Sequence, residues 1–200
     1  METYYSNTRH DVLAIIPRIP INRALEIGGG DFGTLLTLRQ EYVFETWGVD
    51  IRKSSASLDH IIIGSVTDEN VQAKLPAQSF DLILANDVLE HVEDTEAFVN
   101  TVHRSLKIGG LLALSVPNIR QIRLLYYVML RGTFPREDAG LFDKTHVRWF
   151  CKQDVLAAFS SVKFQPVLSK SVGRLVPKIF ANSIVGELLG LQNLFLFKKL

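Results

Sequence analysis

The sequence predicts an α/β protein: a doubly wound, mostly parallel, seven-stranded sheet with helices on both faces. Three observations predict it. Short apolar runs alternate with segments of helical period over the first 117 residues, as parallel strands joined by crossover helices do. A glycine turn, Gly28-Gly29-Gly30 with Gly33, follows the first of those runs. The 200 residues are 47% apolar and 22% charged, enough for a single core over residues 1–200 and too apolar for a disordered chain.

Each element has its own justification. Residues 9–16 read as a short helix stopped by Pro17 and Pro20. Residues 23–27 are a buried strand ending on the glycines, and 31–39 a helix opened by Asp31. Strands follow at 42–50, 60–64 and 80–86, with a helix at 67–74 for which Thr67 is the expected cap. Residues 94–106 carry Ala97, Phe98, Val102 and Leu106 at helical spacing, closed by Lys107-Ile108-Gly109-Gly110. A fifth strand spans 111–117 and stops at Pro117. Helices are expected at 119–131, 151–160 and 177–189, and late strands at 162–168 and 193–199.

Charge and cysteine usage exclude several classes. The net charge of +1 gives no support for work on nucleic acid, which favours a basic excess. The lone Cys151 rules out an internal disulfide and a cysteine-based zinc site. No three-ligand cluster at metal spacing is visible along the chain, so no metal is expected. Residues 1–20 hold no long apolar stretch, and no run reaches the length of a spanning helix, so the expectation is a cytoplasmic protein without a signal peptide. Charge is uneven, however. Residues 68–96 are acidic apart from Lys74; Arg120, Arg123, Arg131 and Arg136 meet no acid within 118–136; and 163–200 carries Lys163, Lys170, Arg174, Lys178, Lys198 and Lys199 against Glu187. These are solvated faces or a surface for an anionic partner.

The glycine turn carries the chemistry. Gly28, Gly30 and Gly33 have the G-x-G-x-x-G spacing between a strand and a helix. Asp50 ends the second strand, where a carboxylate accepts the two hydroxyls of a ribose. Glu26 and Asp31 flank the turn; they oppose a pyrophosphate and suit a cationic ligand such as a sulfonium.

Taken in order, these segments resemble class I S-adenosylmethionine-dependent methyltransferases, a Rossmann-like fold with an antiparallel last strand. Glu26 to Gly33 resembles the first motif of that family, Gly48-Val49-Asp50 the second, and Ile63-Gly64-Ser65-Val66 the turn beside adenine. Phe80 to Val92 resembles the motif after strand four, and Arg104 to Gly110 the leader to strand five. Leu89-Glu90-His91 is similar to the subgroup of ubiquinone- and menaquinone-biosynthesis methyltransferases; Asp143 to Phe150 is similar to a segment before the last helix of many small-molecule enzymes. The family often has an acid where this chain has Ser65, and a Cys or small residue at Gly29.

The resemblance implies S-adenosylmethionine as cofactor and a small-molecule acceptor. It implies that Glu26, Gly28, Gly29 and Gly30 hold the methionine portion, Asp50 the ribose with Ile51 against adenine, Ser65 and Val66 the adenine edge, and Asn86, Asp87 and Val88 the methionyl end. His91 and His146 are the candidate catalytic bases, each set against a packing role. Residues 119–150 are expected to be a substrate cover and 170–190 a second helical insertion. The apolar stripe Ile119, Ile122, Tyr126 and Met129 suits core or dimer packing, and, with its arginines, a membrane surface. A monomer or homodimer is expected. Two alternatives stay open: a nicotinamide-dependent oxidoreductase, and a non-catalytic module that binds S-adenosylmethionine.

Overall fold

The computed structural model describes residues 8–173 and 175–200; Arg174 and the first seven residues of the amino-terminal stretch lie outside them. A single seven-stranded sheet runs in the order β3-β2-β1-β4-β5-β7-β6. Its strands are β1 (Ile21–Ile27), β2 (Val43–Asp50), β3 (His60–Ile63), β4 (Phe80–Asn86), β5 (Leu106–Pro117), β6 (Phe164–Val172) and β7 (Gln192–Lys199). The first five are parallel to one another; β7 lies antiparallel between β5 and β6. The expected fold class is therefore the observed one.

Strand side chains alternate between two cores, as the pleat requires. Leu25, Ile83, Ala85, Leu112 and Leu114 point into one, packed against Phe98 and Val102 of α4 (Thr95–Ser105) and Phe159 of α6 (Lys152–Ser160). Ala24, Leu82, Leu84, Leu111 and Ala113 point into the other, against Leu35 and Leu38 of α2 (Gly33–Glu41) and Val12 of α1 (His10–Leu13). Both faces are covered, which is why the strands read as continuous apolar runs. β1 and β4 are neighbours although four elements separate them in sequence. Chain order reverses between them, and such a reversal opens a crevice at the carboxyl ends of the strands.

Several expected boundaries shift for physical reasons. Asp31 does not open α2: Phe32 stands at the cap in the left-handed region (φ 56°), and its fully buried ring compensates that backbone strain. Lys107-Ile108-Gly109-Gly110 does not close α4; the helix stops at Ser105 and the four residues enter β5, with Gly109 at φ 80° beside a register shift against β4. The helix expected over 177–189 is two pieces, a 3-10 turn at Lys178–Phe180 and α7 (Ile184–Leu189), because the Ser183 hydroxyl caps a fresh start at the Gly186 N–H. Between Asp68 and Gln72 the observed helix is a single turn, α3 (Glu69–Gln72), without a Thr67 cap.

The segment after β5 and residues 170–190 are tied at their roots. Asn118 donates to the Gly190 carbonyl at 2.9 Å, and Arg120 pairs with Glu187 of α7. Beyond that root, α5 (Ile122–Leu130) buries only Leu124; Ile122, Tyr126, Met129 and Leu130 are exposed. The stripe that suited core packing thus faces outward in this chain. Among the described residues, no helix is long and apolar enough to cross a membrane.

Candidate active site

The crevice between β1 and β4 gathers the cofactor candidates. Gly28 donates to the Val49 carbonyl at 2.8 Å and sits at φ 68°. A Cβ there would stand 2.4 Å from Val88 Cγ2, so the turn after β1 and the turn after β4 touch only because Gly28 has no side chain. A Cβ at Gly29 would meet the Phe32 ring at 2.4 Å. Gly30, at φ 58°, donates its N–H to Asp50 Oδ2 at 2.8 Å, and Asp50 Oδ1 accepts from the Arg52 N–H at 2.8 Å. Asp50 therefore clasps the glycine loop to the end of β2. Each of its oxygens accepts a backbone N–H, and a carboxylate oxygen has a further lone pair to offer a hydroxyl donor.

Glu26 is buried, 3% exposed, at the other wall. Its Oε2 accepts the Leu35 N–H in the first turn of α2 at 3.0 Å. Burial pushes its carboxyl up to about 7; the Leu35 bond and the nearby Asn86 and Thr34 side chains pull the other way, and the Asp50 charge adds to the rise. Asn86 ends β4 beside it, with both amide atoms buried and without a well-formed hydrogen bond. An unsatisfied amide and a half-ionised carboxyl at one crevice are costly unless a polar ligand joins them. An ammonium and a carboxylate, as on a methionine moiety, are the groups that satisfy this pair.

The remaining candidates fall around that centre. Ile51 is 73% exposed directly after Asp50, an apolar surface at the crevice rim. The Ser65 hydroxyl is engaged with Thr67 Oγ1 at 2.9 Å, and Val66 is buried in the core. Asp87 takes a left-handed conformation (φ 55°), its N–H bonded to the Ser115 carbonyl at 3.1 Å.

Asp87 has a partner that sequence reasoning missed. The Arg9 guanidinium pairs with its carboxylate, reaches Ser115 Oγ at 3.2 Å and grips Asp11 at 2.9 Å. The Arg9 backbone N–H donates to Thr34 Oγ1 at 3.1 Å. The amino-terminal segment is thus strapped over the start of α2 and the end of β4. In the sequence Arg9 stood at the edge of an unremarkable short helix, with no local signal of a partner 78 residues away.

His91 and His146 do come together. Leu89–His91 is a 3-10 turn, and its Glu90 carbonyl accepts the N–H groups of Val147 and Arg148 at 2.9 and 3.1 Å. That pins residues 145–148 over the turn, with the two imidazole rings 4.9 Å apart and edge to face. His146 is buried; desolvation, and then the His91 charge, hold its imidazole below the usual histidine range. The expectation that no metal-spaced cluster exists is overturned here: Glu90, His91 and His146 bring ligand atoms within 4.8 Å of one another. Linear spacing hid it, because His146 lies 55 residues beyond His91.

A shallow hollow of about 250 Å³ bounded by Asn22, Arg23, Glu45, Gln78, Ser79 and Lys107 lies at the opposite, amino end of β1 and carries none of these groups.

Comparison with known proteins identifies the family. A family model described as a methyltransferase domain matches residues 3–167. The chain belongs to that family: it is a class I methyltransferase, an enzyme with S-adenosylmethionine as cofactor. No curated protein sequence matches it. Among solved structures, it is similar to an S-adenosylmethionine-dependent methyltransferase of Archaeoglobus fulgidus, at TM-score 0.69 and 15% identity over 99% of this chain and 94% of that one. One from Mesorhizobium loti gives 0.66 and 16%, over 95% and 96%. The cyclase SpnF gives 0.63 and 13%, over 95% and 78%. Such distant likenesses carry the fold alone, and SpnF shows that one fold hosts different reactions. The comparisons favour neither an oxidoreductase nor a non-catalytic module.

Proposed function

We propose that this methyltransferase acts on a small-molecule acceptor bound between the carboxyl edge of the sheet and the cover made by residues 119–150 and 170–190. The observation that carries the reading is the convergence of buried Glu26, orphaned Asn86 and clasped Asp50 on the β1–β4 crevice, with His91 and His146 across it. The near-neutral chain, with its +1 charge, supports a small acceptor over a polyanion.

In this reading Glu26, Asn86 and the backbone of Gly28, Gly29 and Gly30 hold the methionine portion. Asp50 takes the ribose hydroxyls, Ile51 covers one face of adenine, and the Ser65-Val66 turn borders its edge. Asp87 and Val88 shape the methionyl end through Arg9 and Gly28. When bound, S-adenosylmethionine would supply an electrophilic methyl group on a sulfonium that leaves as a neutral thioether, and a protonated acceptor would give up its proton to solvent. The sulfonium is already an activated leaving group, so alignment is most of the protein's task.

The test is transfer of a labelled methyl group from S-adenosylmethionine to a panel of phenols, amines and carbon acids, run beside protein and RNA acceptors. Label in the low-molecular-weight fraction is expected. Label confined to the macromolecular fraction overturns the small-acceptor reading.

A further inference from the structure

Glu90 is the least comfortable side chain among the described residues. It is 1% exposed, and neither carboxyl oxygen has a hydrogen-bond partner. A buried carboxyl without partners is strongly disfavoured, whether charged or neutral. Its neighbours are the groups that bind cations best. His146 Nε2 lies 4.0 Å from Glu90 Oε1, and His146 Nδ1 is buried and unpartnered. His91 is exposed on the same turn, and its ligand atom falls within 4.8 Å of the other two.

The His91 ring has an acceptor beside it. Its Nδ1 stands 3.2 Å from the Thr145 carbonyl, an acceptor that fixes the proton on Nδ1 and leaves the Nε2 lone pair free. The charged groups facing Glu90 are the acids Asp87 and Asp143 and the Arg9 guanidinium, which Asp87 and Asp11 already neutralise.

We propose that Glu90, His91 and His146 form a binding site for one divalent transition-metal ion, zinc or manganese(II), at the acceptor side of the crevice. Two imidazoles and one carboxylate suit these ions better than magnesium or calcium, which take oxygen ligands. Ligand atoms around such an ion stand about 3–3.5 Å apart at bond lengths near 2.1 Å, so closure asks for roughly 1 Å of movement. The exposed His91 ring supplies most of it, and the Glu90–His146 pair, at 4.0 Å, the remainder. Three protein ligands leave coordination positions open. Resting on the methyl-transfer reading, those positions assign the acceptor to the hydroxyl-bearing class, held by its oxygen.

Calorimetric titration of chelator-stripped protein with zinc chloride and, separately, manganese(II) chloride tests the site. One ion per chain is expected. His91→Asn, His146→Asn and Glu90→Gln should each weaken uptake by about 100-fold or more, since even the groups that merely orient metal ligands are worth 10–100-fold. Absence of one-to-one uptake of either ion overturns the proposal, and so does uptake that survives all three substitutions. His91 is exposed, so His91→Asn keeps the test valid if the buried variants misfold. Titration of the same samples with S-adenosylhomocysteine separates the two readings. Metal uptake without S-adenosylhomocysteine binding sinks methyl transfer and spares the metal site; the reverse pattern sinks the metal site alone.

Discussion

The carboxyl edge of the sheet is built in two different ways. On its β1–β2 side, Glu26, Gly28, Gly30, Phe32 and Asp50 all come from one stretch of 25 residues, locked by backbone bonds and contacts too tight for a Cβ. On its β4–β5 side, Arg9, Asp87, Glu90, His146 and Glu187 come from segments up to 178 residues apart, held by side-chain pairs, and α5 turns an apolar face to solvent. In the proposed reading the first side suits a ligand that never changes, and the second an acceptor that defines its own contacts.

Glu26 offers the largest test of how tightly the first side is built. Its folded carboxyl titrates at about 7 against 4.5 unperturbed, so the folded state keeps a proton that the unfolded chain has released. Stability is therefore fullest below pH 4.5 and is lost as pH rises through 7, by about 3 kcal/mol. Urea unfolding of the ligand-free protein between pH 5 and pH 8 should show the decline, and Glu26→Gln should reduce it. Affinity for the cofactor's ammonium group should move the other way and tighten over the same range. An unaltered decline in Glu26→Gln would assign the effect to Glu90, whose burial pushes its carboxyl up as well.

Gly28→Ala comes next. The new methyl group meets Val88 in a backbone conformation that alanine resists, and about 2–3 kcal/mol should be lost, from stability or from cofactor binding. A thermal scan with and without S-adenosylhomocysteine distinguishes the two. Asp50→Ala removes an acceptor that anchors Gly30, and cofactor affinity should fall by about 1–3 kcal/mol in a calorimetric titration. Unchanged affinity would move the ribose elsewhere. The smallest effect belongs to the second side. Met129→Ser, on the exposed face of α5, should change stability by less than about 0.5 kcal/mol. A larger loss in urea unfolding would mean that the face is covered in solution.

The contrast between the two sides also explains what the sequence made legible. Strand periodicity and the glycine spacing are local, so all seven strands and the Glu26–Asp50 half of the candidate site could be proposed from residues close in the chain. The acid before the glycines and the acid ending β2 were their own signals. Arg9 against Asp87, and Glu90 against His146, are long-range pairings, and nothing in a linear pattern marks them. The 177–189 segment failed for a local reason: its composition is helical, but Ser183 offers the backbone a competing cap. The α5 stripe has the period of a core helix, yet its burial depended on a partner surface that the fold does not supply.

The most direct test of the whole account is the crystal structure of the protein with S-adenosylhomocysteine. The account predicts adenosine in the β1–β4 crevice, both ribose hydroxyls on the Asp50 carboxylate and the amino-acid end between Glu26 and Asn86. Ligand bound anywhere else, with Asp50 still engaged only by Gly30 and Arg52, would contradict it.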